Sequence, residues 1–269
     1  MLTCYDFTTA RLMQEAGVPM LLVGDSAAGV ILGHETTLPI RLGFLIELTA
    51  AVRRGAPLAL VMGDMPFGSF HQSLQQGVRN AVRLVQLSGC DCVKLEAAES
   101  HAPLVRALTD AGVAVVVHLG LRPQSVGVLG GYKAQGRTAE AARRIVDLAA
   151  VMEAHGASAV LLEATPPEVS EAVVRTTDLP VIGCGAGPAC CAHVVVTHDL
   201  LGLTPHRPRF VPELEPLPAG GGVADLMKQS FARFVDDVAA GRYPAPRHQY
   251  EMPADERAAF LAAANRAAL

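Results

Sequence analysis

Along the chain, short apolar runs alternate with longer amphipathic stretches. The runs fall at Leu2–Cys4, Met20–Val23, Leu58–Met62, Cys92–Leu95, Ala114–Val117, Val160–Leu162, Pro180–Ile182 and Val194–Val196. Each is rich in Val, Ile, Leu or Met and shows no polar alternation. A strand reads that way when both faces are covered, as in a parallel sheet. Between the runs lie segments of helical length, such as Phe70–Leu87, Ser100–Ala111, Arg137–Ala154 and Pro167–Thr176. Several helices are expected to end at a glycine just before the next run, at Gly17, Gly55, Gly89, Gly112 and Gly156. Glycine there supplies the left-handed conformation that closes a last helical turn. Eight strands alternating with helices predict an α/β fold, and favour a closed (β/α)8 TIM barrel over an open doubly wound sheet. Pro205-His206-Arg207-Pro208 and Pro216–Gly222 interrupt the pattern, and a helix is expected at Val223–Ala240. The reading is one barrel domain over residues 1–250, with 251–269 as an Ala-rich, helical or frayed C-terminal tail.

Composition narrows this. The chain has 269 residues, 51% of them apolar and 18% charged, enough apolar surface for a large core and against wholesale disorder. The net charge of −4, the absence of Trp and the 4% aromatic content argue against a nucleic-acid surface. Six cysteines without a C-x-x-C pair read as free buried thiols. The first residues carry Asp6 and Arg11 and show no cationic start with an apolar run after it. No apolar stretch is long enough to span a membrane. The expectation is a soluble cytoplasmic protein.

The candidate chemistry sits where the strands end. The second strand runs into Asp25-Ser26 and the third into Asp64; the fourth carries Lys94 and Glu96; the fifth ends in His118, the sixth in Glu163, and the eighth in His198-Asp199. In a (β/α)8 barrel these C-terminal ends gather on one rim, the face that carries barrel chemistry. Each residue also has a plain structural reading. Asp25 and Asp64 are consistent with helix caps, Lys94 and Glu96 with an ion pair on one strand face. His118 is consistent with a core histidine, and Glu163 with a cap on the helix near Pro166. Together they read as a site, because ionisable groups turn inward only when paired or metal-bound.

Carboxylates without a Cys–His cluster suit a hard divalent cation, Mg2+ first. Such a cation chelates a 2-oxo acid through its keto and carboxylate oxygens and holds the charge of an enolate. Glu163 is then the natural base for the α-proton, and Lys94 and His118 the partners of the substrate oxygens.

At these residues the sequence resembles the ketopantoate hydroxymethyltransferase family, of the phosphoenolpyruvate mutase and isocitrate lyase type of barrel. The resemblance is carried by Leu22–Ser26, Gly33–Pro39, Ala51–Pro57, Asp64–Phe67, Val93–Glu96, His118–Ser125, Gly130–Arg137, Leu162-Glu163 and Ile182–Gly187. These motifs are colinear over nearly the whole chain, which makes the set specific where one motif alone is weak. The resemblance implies Mg2+ held by Asp25 and Asp64, with Glu96 nearby through water. It implies that Ser26, Asp64, Lys94 and His118 hold the oxo acid, with Glu163 as base. It implies hydroxymethyl transfer from 5,10-methylenetetrahydrofolate to 3-methyl-2-oxobutanoate, giving 2-dehydropantoate for pantothenate synthesis, in a homodecamer.

The chain departs from the family pattern at several places. Its first strand begins almost at Met1, where the family usually has a further segment. Ala97 and Ala98 replace glycines after Glu96, Arg41 replaces a small Thr, and Glu47-Leu48 replaces a Tyr-His pair. After Gly187, where a polar Asp-Gly-Gln stretch is expected, stands Cys190-Cys191-Ala192-His193. These four are expected on the rim between strands seven and eight. That placement motivates a competing reading, a paralogue using the same metal-enolate chemistry on another 2-oxo acid, for hydroxymethyl transfer or C–C bond cleavage. A barrel retained as a non-catalytic subunit is the third.

Overall fold

The structure, a computed structural model, describes residues 1–213 and 223–267. Eight strands, β1 (Leu2–Thr3), β2 (Met20–Val23), β3 (Leu60–Asp64), β4 (Cys92–Glu96), β5 (Val115–Gly120), β6 (Ala159–Glu163), β7 (Val181–Cys184) and β8 (Ala192–His193), pair in parallel in sequence order. A parallel bridge between Leu2 and Val195 closes the ring, reinforced by the Thr197 hydroxyl donating to the Thr3 carbonyl at 2.5 Å. This is the (β/α)8 barrel that the apolar runs predict. Three of the strands, β1, β4 and β7, are buried along their whole length, and each fully buried Val or Leu contributes on the order of 2 kcal/mol of burial free energy.

The helices are α1 (Phe7–Glu15), α2 (Ala27–Val30), α3 (Leu42–Gly55), α4 (Leu74–Ser88), α5 (Ala102–Asp110), α6 (Val126–Leu129), α7 (Ala139–Ala154), α8 (Pro167–Thr176), α9 (Thr197–Leu200), α10 (Val223–Ala239) and α11 (Ala254–Ala267). Their starts follow local chemistry: Asp6 accepts from Thr9 N at 2.8 Å, Ser73 from Gln76 N at 3.1 Å and Thr138 from Ala141 N at 3.2 Å, each satisfying a first-turn donor. The helix α10 packs on α1, and α11 on α7, where Phe260 is buried and Glu256 accepts from Ala139 N at 2.7 Å. Among the described residues no helix is long and apolar enough to cross a membrane. All six cysteines are free thiols, and only Cys191 is exposed.

Four expectations are corrected. Gly55 is not a left-handed stop but the last residue of α3, placed there because a Cβ would meet the Phe7 carbonyl at 2.3 Å; a close approach, not a turn, selects glycine. The eighth strand is Ala192–His193 rather than Val194–Val196, and His198-Asp199 lies in α9 beyond it. No helix separates β7 from β8. The residues Cys190–His193 are not on the rim: Cys191 N bonds to Val181 O and Ala192 pairs with Ile182, at the start of β7. Parallel register therefore puts them toward the N-terminal end of the barrel. The predicted break at Pro216–Gly222 lies outside the described residues.

Candidate active site

Strand register brings the ionisable residues to one level. Asp64 on β3 pairs with Lys94 on β4, Glu96 with His118 on β5, and Gly120 at the end of β5 with Glu163 on β6. Asp25 follows β2 directly. The C-terminal mouth holds a cavity of about 390 Å3 lined by Asp25, Ser26, Asp64, Lys94, His118 and Glu163, with Leu22, Leu161, Val194 and Phe210 supplying apolar wall. Apolar walls with a few convergent polar groups are what a small-molecule site needs.

The polar groups are fixed by one another. Lys94 Nζ is 2.9 Å from Asp64 Oδ1, in ion-pair contact but off the hydrogen-bonding angle, so that oxygen keeps an unused lone pair while fully buried. Asp64 Oδ2 accepts from Asp25 N at 2.9 Å. Asp25 Oδ2 accepts from the Gln124 side chain at 2.9 Å, and the same amide donates to Met65 O at 3.1 Å. Lys94 Nζ also lies 3.4 Å from His118 Nδ1, and His118 Nε2 is 3.2 Å from Glu163 Oε2. Ser26 Oγ shares a hydrogen bond of 2.8 Å with Tyr5 Oη.

Burial dominates the electrostatics. It pushes Glu163 up to about 8, with Lys94 pulling back and Asp25 adding to the rise. It raises Asp64 and Glu96 as well, and their mutual repulsion with Asp25 adds to this. The three carboxylates hold Lys94 above its ordinary value despite its burial, so it is a permanent cation. His118 is held well below its ordinary value by burial and by the Lys94 charge, so it is neutral.

The plain structural readings are replaced. Glu163 faces His118 rather than capping α8, whose cap position is Pro166 without a side-chain bond. Lys94 contacts Asp64, not Glu96. Asp25 accepts from Gln124 rather than from helix amides. Glu96 is brought to the site's edge but not to the cavity wall: both its oxygens accept from Gln124 N, at 2.9 and 3.1 Å. The residue that sequence reasoning passed over is Gln124. Its signal lay inside the His118–Ser125 motif, but an amide in a loop has no pattern to mark it.

Among the described residues no three His, Cys, Asp or Glu side chains form a ready metal cage. The donor set nevertheless fits a hard dication that keeps water or substrate oxygens as further ligands. The observation is the buried Asp64 Oδ1 without a hydrogen bond, beside Asp25 in a region where several acids face a single Lys. Asp25 and Asp64 are the residues that would hold it.

A profile of the ketopantoate hydroxymethyltransferase family matches residues 1–246. The 3-methyl-2-oxobutanoate hydroxymethyltransferase of Geobacillus thermodenitrificans is 44% identical over 257 residues, covering 95% of this chain and 90% of the relative. The enzyme of that name from Desulfotalea psychrophila is 42% identical over 256 residues, with the same coverage. Among solved structures, a phosphoenolpyruvate phosphomutase from Streptomyces platensis superposes with a TM-score of 0.59 at 14% identity, covering 91% of this chain and 86% of that one. A phosphonopyruvate hydrolase in complex with oxalate and Mg2+ gives 0.58 at 12% identity, covering 99% and 91%. These two likenesses show the fold.

Proposed function

The chain belongs to the ketopantoate hydroxymethyltransferase family and makes 2-dehydropantoate from 3-methyl-2-oxobutanoate in pantothenate synthesis; we propose that the rim site does so with a divalent cation and with 5,10-methylenetetrahydrofolate as donor. The observation that carries the assignment of roles is the cavity itself, where Asp25, Asp64, Lys94, His118 and Glu163 meet beside an apolar wall. Asp25 and Asp64 would hold a hard cation, Mg2+ by the hardness of these ligands, which would supply Lewis acidity to the bound oxo acid. The phosphonopyruvate hydrolase in complex with Mg2+ and oxalate, a small anion with vicinal oxygens, supports this reading.

The chain's own residues then do the following. Lys94 and Ser26 face the acid's oxygens, the first as a fixed positive charge and the second as a hydroxyl already oriented by Tyr5. Leu22, Leu161 and Val194 take the isopropyl group. Glu163 accepts the proton from C3, a task suited to a carboxylate raised toward neutral pH. Neutral His118 presents a proton to that carboxylate and steadies its charged form. C3 then bonds to the donor's methylene carbon, and both bonds from that carbon to the tetrahydrofolate nitrogens break. Water supplies the hydroxyl, and the C3 proton and the second proton of water go to the two released nitrogens, so that tetrahydrofolate leaves. Glu96 acts behind this set, fixing the Gln124 main chain and through it Asp25.

The residues that favoured a different oxo acid, Cys190-Cys191-Ala192-His193, lie away from the cavity wall, so the pocket gives no reason for another substrate. A homo-oligomer, a decamer by family resemblance, is the proposed working unit; exposed Ile31, Leu32, Leu58 and Phe67 are side chains that a second copy would cover. The test is turnover of a panel of 2-oxo acids with Mg2+, with and without methylenetetrahydrofolate. The expected result is donor-dependent turnover with 3-methyl-2-oxobutanoate preferred. A strong preference for another acid, or donor-independent turnover, contradicts the reading.

A further inference from the structure

A second cavity, of about 200 Å3, adjoins the mouth of the first. Pro208 stands in the wall of both. Phe210 lines the active-site cavity, and Val211, the next residue, lines the second. The second cavity gathers Arg207, Arg209, Arg247 and His248 against one carboxylate, Glu213. Arg207 is paired with Glu213 at 3.1 Å, and that glutamate side chain is 81% exposed. Among the described residues neither Arg209 nor Arg247 has a carboxylate partner. Arg209 donates its Nε to the main-chain oxygen of Arg247 at 3.0 Å, which ties the two segments together. The His248 ring is buried, and its Nδ1 accepts from Ala245 N at 3.0 Å, so its proton lies on Nε2 as a donor. Burial and the charges of Arg247 and Arg207 hold His248 below its ordinary value.

In a chain of net charge −4 this cluster is not a sample of a generally basic surface. Guanidinium groups at fixed positions in a concavity suit an anion with several oxygens, and carboxylate binds them in the bidentate manner. None of these groups has a task in the proton transfer at Glu163. The donor proposed above carries its one-carbon unit at the pterin end and its carboxylates at the far end of a long molecule. If the pterin end meets C3 of the oxo acid, the tail must leave by the mouth, beside Pro208.

We propose that the Arg207–Arg209–Arg247 cavity binds the glutamyl carboxylates of the folate donor, holding the tail outside while the pterin end enters past Pro208. This rests on the donor reading given above. It assigns to the cluster the recognition of the donor tail, and no part in the reaction itself.

The experiment measures KM at saturating oxo acid for three methylene donors: tetrahydropteroate without glutamate, the monoglutamate and the triglutamate. Wild type is compared with Arg247→Gln and Arg209→Gln. Wild-type KM is expected to fall as glutamates are added. Each variant is expected to raise KM for the glutamylated donors about tenfold, the loss of one charged contact. KM for the glutamate-free donor, KM for the oxo acid and kcat are expected to stay within twofold of wild type. Equal effects on all three donors, or none, overturn the inference. Arg247 carries the test if Arg209→Gln fails to fold, because its side chain makes no hydrogen bond among the described residues. Inorganic phosphate should compete only against the glutamylated donors; equal inhibition of all three marks a general anion site and also overturns it. Turnover that is the same with and without the folate carrier, at equal total formaldehyde, removes the donor reading and this inference together. Turnover with folate donors that ignores both arginines removes the inference alone.

Discussion

His118 Nε2 lies 3.2 Å from Glu163 Oε2, while the other nitrogen of the same ring is 3.4 Å from Lys94 Nζ. An ammonium only donates, so Nδ1 accepts and the ring proton is left on Nε2, facing the carboxylate. The approach to Glu163 is close, though His118 Nε2 makes no hydrogen bond there. One neutral imidazole thus connects the fixed charge of Lys94, and behind it Asp64, to the residue that must take a proton.

The first prediction is a pH profile. Glu163, raised by burial to about 8, must be ionised to act as base, so kcat/KM is present above its ionisation and lost as pH falls through it. The expected profile rises about tenfold per unit toward a break near 8. In His118→Leu the carboxylate loses a donor to its charged form, and the break moves to higher pH. A flat profile between pH 6 and 9 contradicts the assignment.

Gln124 is predicted to govern the affinity for the cation. Its side-chain amide spans Asp25 Oδ2 and Met65 O, and its main-chain N–H is bonded to Glu96. Gln124→Leu keeps the main-chain bond and removes the support of Asp25. Loss of such a supporting hydrogen bond costs roughly 10–100-fold in metal affinity. Calorimetric titration with Mg2+ measures this, and an unchanged Kd counts against it.

Gly120 is predicted to set the position of Glu163. Its φ is +87°, and a Cβ would meet Glu163 O at 2.3 Å and Thr165 Cγ2 at 2.8 Å. Gly120→Ala therefore displaces the strand end that carries the base, and a shift of about 1 Å costs on the order of 10²-fold in rate. Gly112, with φ +80° and nothing within 4 Å of its missing Cβ, is the control. Gly112→Ala should lower stability by about 1 kcal/mol with kcat unchanged.

The sequence announced the frame more fully than the contacts. The bounds of β2 and α8 follow from the apolar run and from Pro166-Pro167, because local pattern and tertiary burial agree there. The rim set Asp25, Asp64, Lys94, His118 and Glu163 was legible because each is an ionisable residue within or just after an otherwise apolar strand. Strand β8 was misplaced because its paired residues, Ala192 and His193, are small and polar, while the more apolar Val194–Val196 follows them. Gly55 was misread because steric closeness between α1 and α3 leaves no local signature. Gln124 and the Arg207–Arg209–Arg247 cavity depend on loops meeting in space, which periodicity does not record.

His193 gives a prediction about stability. Its ring is buried edge-on to Tyr243, and burial pushes it down to about 4. The folded state keeps it neutral while the unfolded chain, near 6.5, takes up a proton. Stability from this group is therefore present above about 6.5 and lost as pH falls toward 4, by ~3 kcal/mol at most. Urea unfolding at pH 7 and pH 4.5 should show a smaller acid loss in His193→Gln than in wild type. Equal losses contradict the buried neutral ring.

The central claim is that Glu163 removes the C3 proton of an oxo acid held beside Asp25 and Asp64. It is tested most directly by proton NMR of 3-methyl-2-oxobutanoate in deuterium oxide, with Mg2+ and without the folate donor. Wild type is predicted to wash out the C3 hydrogen in a cation-dependent way, and Glu163→Gln to bind the acid within a few-fold of wild type yet exchange at least 10²-fold more slowly. Exchange in Glu163→Gln as fast as in wild type would show that the proton goes elsewhere.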